Sequence, residues 1–463
     1  MHFKHFYLGC LAQASYLIGS EGEAAVVDPR RDVQEYLDEA SAHGLQIKWV
    51  IETHLHADFV SGHRELAERT GATIVMGEKA KAGFPHQAVT DGDEIRVGRL
   101  VLRIMETPGH TPDSICVQVV DPRESDEPRM VLTGDTLFVG DVGRPDLAGA
   151  AGYSAEAMAE MLYDSLHQKL LKLPDAVEVY PAHGAGSLCG RNMSRERFST
   201  IGEQRRSNAA LRPMAREDFV RQMTTDLPEI PEYFARDVAA NRAGAPSISD
   251  RPLPPALTPE DVERRLVADE ILLDVRSGAA FGAGHVPGAV NIDLHGEFAP
   301  WAGALLPSAM PIVVVAADDE QLHETVTRLA RVGLDNVVGH LGRGPAAWED
   351  SGRPLERIPQ LPVAELESRV RSGSGNLQIV DVRRPPEYAS GHVPGAIPLP
   401  LDRLEAGTAR LDSARPLAVV CGSGYRSSTA TSLLRRQGFA DLHNVAGGTT
   451  AWVAAGYPVE PAG

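Results

Sequence analysis

The feature that most constrains this chain is a repeat in its second half. Ile271-Leu-Leu-Asp-Val-Arg276 returns as Gln378-Ile-Val-Asp-Val-Arg383, and Gly284-His-Val-Pro-Gly-Ala289 returns as Gly391-His-Val-Pro-Gly-Ala396, each 107 positions on. Pro311-Ile-Val-Val-Val315 matches Pro416-Leu-Ala-Val-Val420, and Ala347-Trp348 matches Ala451-Trp452. Matches in one order require a duplicated module of about 100 residues. Within each copy, β-branched runs alternate with amphipathic stretches such as residues 427–437, the pattern of a parallel sheet covered by helices. A Pro-, Gly- and Ser-rich run reads as a linker over residues 241–257, ahead of copies at 258–357 and 359–463.

Residues 1–240 follow a different grammar. Strand-like runs fall at 24–27, 47–52, 100–106, 130–132 and 177–180, with helical patterns at 32–42, 62–69 and 154–172, which predicts an α/β sandwich of mixed strands. Four of these strands run into a candidate ligand: the first into His54, followed by His56 and Asp58, the others into His110, Asp135 and His183. Side chains at the exit ends of neighbouring strands gather on one sheet edge, and imidazoles with a carboxylate there can hold a divalent metal. Nearby, Gly140-Asp-Val-Gly-Arg-Pro-Asp-Leu147 offers Arg144 as a handle for an anionic substrate, or as a salt-bridge partner. Gly184-Ala-Gly-Ser-Leu-Cys-Gly190 places Cys189 within reach of the same edge.

Of the four cysteines, Cys10 and Cys116 sit in apolar strand-like runs and are expected in the core, while Cys421 is different. It opens Cys421-Gly-Ser-Gly-Tyr-Arg426 between a strand and a helix. Gly422, Ser423 and Gly424 let the loop curl so that amide N–H groups turn inward, which with the helix N-terminus stabilises a thiolate or persulfide. Tyr425 and Arg426 complete the loop, and the guanidinium can engage an oxyanion such as sulfite or thiosulfate. In the first copy Ala316 stands where Cys421 stands and Gln321 where Arg426 stands, so that copy cannot form a persulfide and is expected to be structural or docking.

With Asp381-Val-Arg383, Glu387 and Gly391-His-Val-Pro-Gly-Ala396, the last module resembles a rhodanese sulfurtransferase. A Cys-x5-Arg phosphatase uses a related loop, but here four residues separate Cys421 from Arg426, which suits a bare sulfur better than a phosphoryl group. Thr53-His-Leu-His-Ala-Asp58, Thr107-Pro-Gly-His-Thr111, Thr133-Gly-Asp-Thr136 and Tyr180-Pro-Ala-His183 resemble the motifs of the metallo-β-lactamase fold. The expected architecture is therefore a metallo-β-lactamase αββα sandwich followed by two α/β rhodanese domains. Two-metal hydrolases of that fold read His-x-His-x-Asp-His, and Phe59 takes the place of the last His. What remains is similar to the persulfide dioxygenases of the ethylmalonic encephalopathy protein family. That resemblance implies one Fe(II) per chain on His54, His110 and Asp135, with His56, Asp58 and His183 orienting ligands or substrate. Tyr180, Arg144 and Cys189 are expected on the substrate side. Spacing alone equally allows His56 as a ligand.

The implied activity is oxidation of low-molecular-weight persulfides by O2 to sulfite, with sulfane sulfur carried on Cys421 to or from sulfite or thiosulfate. The alternative is a zinc-dependent thiolester hydrolase, similar to glyoxalase II, fused to rhodanese modules. A formal charge of −18 repels phosphate backbones and anionic lipid, so nucleic acid and membrane partners are not expected. With no export signal or long apolar run read in the chain and no Cys-x-x-Cys pair, a cytoplasmic setting is expected. A homo-oligomer is expected from the multi-domain architecture.

Overall fold

A computed structural model describes residues 1–249, 251–373 and 376–461. Asp250 of the expected linker, and residues 374–375 and 462–463 of the expected last module, lie outside the described residues. The chain forms two compact units, Met1–Arg251 with Ala330–Gly333, and Pro252–Leu329 with Leu334–Gly463.

The first unit stacks two six-stranded sheets. One runs in spatial order His2–Leu8, Gln13–Ser20, Glu23–Val27, Gln46–Ile51, Thr73–Gly77 and Gln87–Val89. The other runs Ser199–Thr200, Glu178–Pro181, Met130–Gly134, Ile115–Val120, Leu100–Glu106 and Glu94–Val97. Both mix parallel and antiparallel pairs. Val27, Ile51, Val75, Leu102, Val117 and Leu132 fill the layer between them. Each such side chain contributes about 1.5–3 kcal/mol by leaving water. Outer layers form where Gln34–Ala42 and His63–Thr70 cover one sheet and Ala155–Asp164 and Arg216–Thr224 cover the other.

Several elements depart from the sequence reading. Gln13–Ser20 is buried along its whole length, so it shows no alternation of apolar and polar residues, and it was not read as a strand. The helical stretch expected over 154–172 is an α-helix only to Asp164. A π-helical turn, Ser165–Lys169, follows and lets Ser165 Oγ donate to the Pro108 carbonyl at 2.7 Å, just ahead of His110. The expected linker is ordered at both ends. Asn241 belongs to the helix Tyr233–Ala243, Ile248 N–H donates to Glu65 Oε2 at 2.7 Å, and Ala256–Leu257 is a strand of the next sheet. Cys116 is in the core as expected. Cys10 is not, because it falls in the turn between the first two strands and is half-buried.

In the second unit the repeat becomes two five-stranded parallel sheets of one topology. Their orders are Ala256–Leu257, Val337–Leu341, Ile312–Val315, Ile271–Asp274, Val290–Asn291 and Gln360–Pro362, Leu442–Ala446, Leu417–Val420, Gln378–Asp381, Ile397–Pro398. The repeated motifs make the same bonds twice. Arg276 Nη2 donates to Asp274 Oδ2 at 2.6 Å and to the Gly284 carbonyl at 2.9 Å. Arg383 Nη2 donates to Asp381 Oδ2 at 2.6 Å and to the Gly391 carbonyl at 2.8 Å. His285 stacks on Phe281 at 3.8 Å and His392 on Tyr388 at 3.7 Å. The repeated residues are thus the internal fasteners of each sheet. Removing one partner of a buried ion pair strands the other charge. Arg383→Ala should therefore cost about 3 kcal/mol, read as a lower urea midpoint for the last module.

Candidate metal centre and cysteine loop

Three buried groups meet at the strand exits of the first unit. His54 Nε2 lies 3.8 Å and His110 Nε2 3.4 Å from Asp135 Oδ2. Backbone geometry delivers the aspartate, because Gly134 takes φ +52° and a Cβ there would press on Thr53 at 2.6 Å. A Cβ at Gly143 would overlap the Asp135 carbonyl and crowd His110.

The far side of each imidazole is committed. His110 Nδ1–H donates to the Arg144 carbonyl at 3.0 Å. Thr53 gives its hydroxyl proton to Asp28 Oδ2 at 2.8 Å and therefore accepts from His54 Nδ1–H at 3.0 Å. Both Nε2 lone pairs are then turned toward Asp135. Burial holds both imidazoles below their ordinary pKa, hence neutral. Asp135 is ionised: burial pushes its carboxyl up, but the protonated His183 beside it, by charge and hydrogen bond, more than offsets this and holds it well below the usual range. Its Oδ2 is buried without a hydrogen-bond partner. Such an orphaned carboxylate oxygen, facing two neutral imidazoles, fits a divalent cation. His54, His110 and Asp135 form one group whose ligand atoms all lie within 4.8 Å of one another.

Two further clusters stand behind this group. His183 bridges Asp135 Oδ1 at 2.8 Å and Asp58 Oδ2 at 2.9 Å, and these carboxylates outweigh burial to hold it protonated. Its loop is clamped to the other sheet, with Gly184 N–H on the Ala12 carbonyl at 2.9 Å and Ala14 N–H on the Ala182 carbonyl at 2.7 Å. Cys189 is brought to Asp58 and His183, and burial, then Asp58 and Asp135, push its thiol well up. His56 stands apart from the three-donor group. Its Nε2 lies 3.1 Å from Asp28 Oδ1 and 3.2 Å from Glu52 Oε2. Burial opposes its charge, yet those two carboxylates raise it to about 10, and a protonated imidazole has no lone pair to give. Its Nδ1 is buried without a partner. Phe59 is fully buried against His56, with ring centroids 4.4 Å apart.

Asp28, Glu52, His63 and Asn241 were missed by the sequence reading. Asp28 follows the strand Glu23–Val27 directly, so the strand-exit rule that found Asp135 also reaches it. Asn241 offered no signal, since it comes from a distant helix. Its amide donates to the His56 and Phe59 carbonyls at 2.8 Å and accepts Ser61 N–H at 2.7 Å, fixing the loop that carries Asp58.

Two residues expected on the substrate side are engaged by the protein itself. Arg144 is fully buried and spent: its Nε and Nη2 donate to Asp146 at 2.7 Å, and other N–H groups reach the Leu188 and Pro228 carbonyls. It fastens the loops around His110 and offers no free handle. Tyr180 gives its hydroxyl to Glu178 Oε2 at 3.2 Å and packs its ring against Phe3, Tyr16 and Phe198, outside the three clusters.

At the other site the strand Leu417–Val420 ends in buried Cys421, and the helix Tyr425–Arg436 follows. Gly424 N–H donates to Cys421 Sγ at 3.1 Å, while Ser427 Oγ, 3.4 Å from that sulfur, gives its one proton to Asn444 Oδ1 at 2.6 Å. Ser423 is exposed, and the Gly422 carbonyl accepts Thr450 N–H at 3.0 Å. Arg426 does not stand free at the rim, because its two Nη groups donate to Glu387 at 2.7 and 2.6 Å. Tyr425 gives its hydroxyl to the Asp293 carbonyl at 2.9 Å. In the first copy Gln321 Oε1 accepts Ala317 N–H at 2.7 Å, so a side chain of the loop satisfies its own backbone.

The fold and these two sites define an enzyme with a metal-binding αββα half and a sulfurtransferase-type repeat. The sequence model of the metallo-beta-lactamase superfamily matches residues 8–183, and that of the rhodanese-like domain matches residues 258–351 and 363–455. The chain belongs to the metallo-beta-lactamase superfamily and carries two rhodanese-like domains. It is 32% identical over 238 residues to the mitochondrial persulfide dioxygenase ETHE1 of Bos taurus, covering 49% of this chain and 82% of that protein. It is 30% identical over 254 residues to a beta-lactamase hydrolase-like protein of Agrobacterium fabrum, covering 48% of this chain and 54% of that protein, about half its length. A crystal structure of a metallo-beta-lactamase from Staphylococcus aureus matches with a TM-score of 0.66 at 32% identity, over 73% of this chain and 98% of that one. Among the described residues no helix is long and apolar enough to cross a membrane.

Ligand orientation makes a test. Thr53→Val removes the acceptor for His54 Nδ1–H and should weaken metal binding about 10–100-fold, by chelator competition.

Proposed function

We propose that the first unit is a persulfide dioxygenase using one ferrous iron and that Cys421 carries sulfane sulfur. The observation that supports it most is Asp135 Oδ2, buried and unpartnered between two imidazole nitrogens. His54, His110 and Asp135 would hold the iron. When bound, it supplies open coordination positions for O2 and a sulfur ligand.

The chain's own residues do the rest. Thr53 and the Arg144 carbonyl fix the imidazoles in the tautomer that presents Nε2. His183 holds Asp135 and Asp58 in place and keeps a proton between them. Phe59, standing where a second metal would need an imidazole, leaves an apolar wall. The overall reaction is RSSH + O2 + H2O → RSH + SO3²⁻ + 2H⁺. At the second site the Cys421 sulfur attacks a sulfane sulfur and becomes a persulfide, which passes to sulfite or a thiol.

A zinc hydrolase is the second reading. It is favoured by a 29% identity over 233 residues to the hydroxyacylglutathione hydrolase of Methylobacillus flagellatus. Metal analysis with oxygen uptake on glutathione persulfide separates the two. The expected result is one iron per chain and oxygen uptake abolished in His110→Ala; two zinc ions and no oxygen consumption would overturn the dioxygenase. Independently, Cys421→Ala should keep sulfite formation and lose thiosulfate sulfurtransfer, measured as thiocyanate from cyanide.

A further inference from the structure

Four residues that lie by sequence inside the first repeat copy pack as part of the metal-binding unit. They are Ala330–Gly333, which follow on the helix Asp319–Ala330 and form one compact body with Met1–Arg251. Three consecutive carbonyls of this segment are each taken by that body. Ala330 accepts Arg31 Nη1–H at 2.6 Å, Arg331 accepts Val60 N–H at 2.7 Å, and Val332 accepts Arg236 Nη2–H at 2.5 Å. The Arg331 side chain adds a two-armed pair, Nε to Asp32 Oδ1 and Nη2 to Asp32 Oδ2, both at 2.7 Å. Gly333 closes the turn at φ +67°, and a Cβ there would press on Asp237 Oδ1 at 2.9 Å. Ala330, Arg331 and Val332 are all buried.

The bond to Val60 leads to the metal centre. Val60 is fully buried and stands two residues after Asp58. Asn241 holds the backbone on either side of it, through the Phe59 carbonyl and Ser61 N–H, and leaves the Val60 N–H to Arg331. A buried amide without a partner is costly, so the loop depends on the Arg331 carbonyl to keep this conformation. From the loop the constraint passes through side chains. Asp58 Oδ2 lies 2.9 Å from His183 Nε2, and His183 Nδ1 lies 2.8 Å from Asp135 Oδ1. Fixing Oδ1 also fixes the direction of Oδ2, the oxygen that faces His54 and His110.

We infer that Ala330–Gly333 is a working part of the metal centre, and that Arg331 is a positioning residue, holding the Asp58 loop and through His183 aiming Asp135. The repeat copy that lacks a cysteine thereby gives the metal centre a backbone acceptor that residues 1–251 do not provide. This rests on the reading of His54, His110 and Asp135 as ligands. It does not depend on which metal they hold, because the same carboxylate is aimed at iron or at zinc.

The test is a double-mutant cycle on the Arg331–Asp32 pair in the full chain. It is read by competition of a chelator for cobalt(II) and by hydrogen exchange of the peptide that contains Val60. Arg331→Ala and Asp32→Asn should each weaken cobalt binding about tenfold, the low end for groups that stand behind ligands, and each should speed exchange at Val60. The double variant should lose no more than the larger of the two, because both remove one interaction. Arg30 Nε also lies 3.1 Å from Asp32 Oδ2, and the cycle subtracts that contact. Where Arg331→Ala does not fold, Arg331→Lys, which keeps one arm of the pair, takes its place with a smaller loss. Unchanged cobalt binding in both single variants, or losses that add in the double variant, overturns the positioning role and leaves the metal reading intact. Faster exchange at Val60 without weaker cobalt binding marks a purely structural tie and overturns it as well. No cobalt binding by the wild type overturns the metal reading itself.

Discussion

The first unit is organised around a carboxylate with one satisfied oxygen and one unsatisfied one. Asp135 is buried, ionised and held by His183 through Oδ1, while Oδ2 faces two neutral imidazoles without a hydrogen-bond partner among the described residues. Burying a charge in that state is costly, and the fold accepts the cost only where something can complete the shell. Much of the surrounding architecture follows from holding this group still. A left-handed turn at Gly134 presents it, Gly143 makes room beside it, and the His183 loop is clamped to the opposite sheet.

The same constraint explains why two similar histidines do different things. His54 and His56 are two residues apart on one loop and their rings are 4.2 Å apart. The Nδ1 of His54 meets a threonine hydroxyl already spent on Asp28, which leaves a neutral ring with a free lone pair. His56 meets Asp28 and Glu52 together, which makes it a cation. One buried aspartate, Asp28, thus sorts the pair into a donor and a counter-ion. Phe59 is then one of two reasons for expecting a single metal, the other being the carboxylates that engage His56.

Legibility from sequence followed the kind of contact. The repeat could be read because its motifs make local bonds, such as Asp381 with Arg383 two residues on, which demand fixed spacing. His54, His110 and Asp135 were legible because each ends a strand. Arg144 stayed open between an anion handle and a salt bridge because its partners are a nearby carboxylate and two distant carbonyls, and sequence shows a cation without showing what consumes it. The surroundings of Tyr180 were not legible for a similar reason, since its ring packs among Phe3, Tyr16 and Phe198 from elsewhere in the chain. The strand Gln13–Ser20 escaped because burial on both faces erases periodicity. Asn241 is the extreme case, a residue assigned to a linker that instead holds the loop between His56 and Ser61.

The vestigial loop of the first copy has become a latch. Where the second copy leaves its loop open around a sulfur atom, the first folds Gln321 back onto the Ala317 amide and caps the helix with Asp318. A cysteine introduced at position 316 would arrive in a loop with an amide already taken and acidic residues at its entrance. Its chemistry could not be regained in one step, since the latch would have to be unpicked as well. What the first module turns toward the second is its far edge, where Asn291 and the Asp293 carbonyl tie down Ser428, Ser432 and Tyr425 of the helix that follows Cys421.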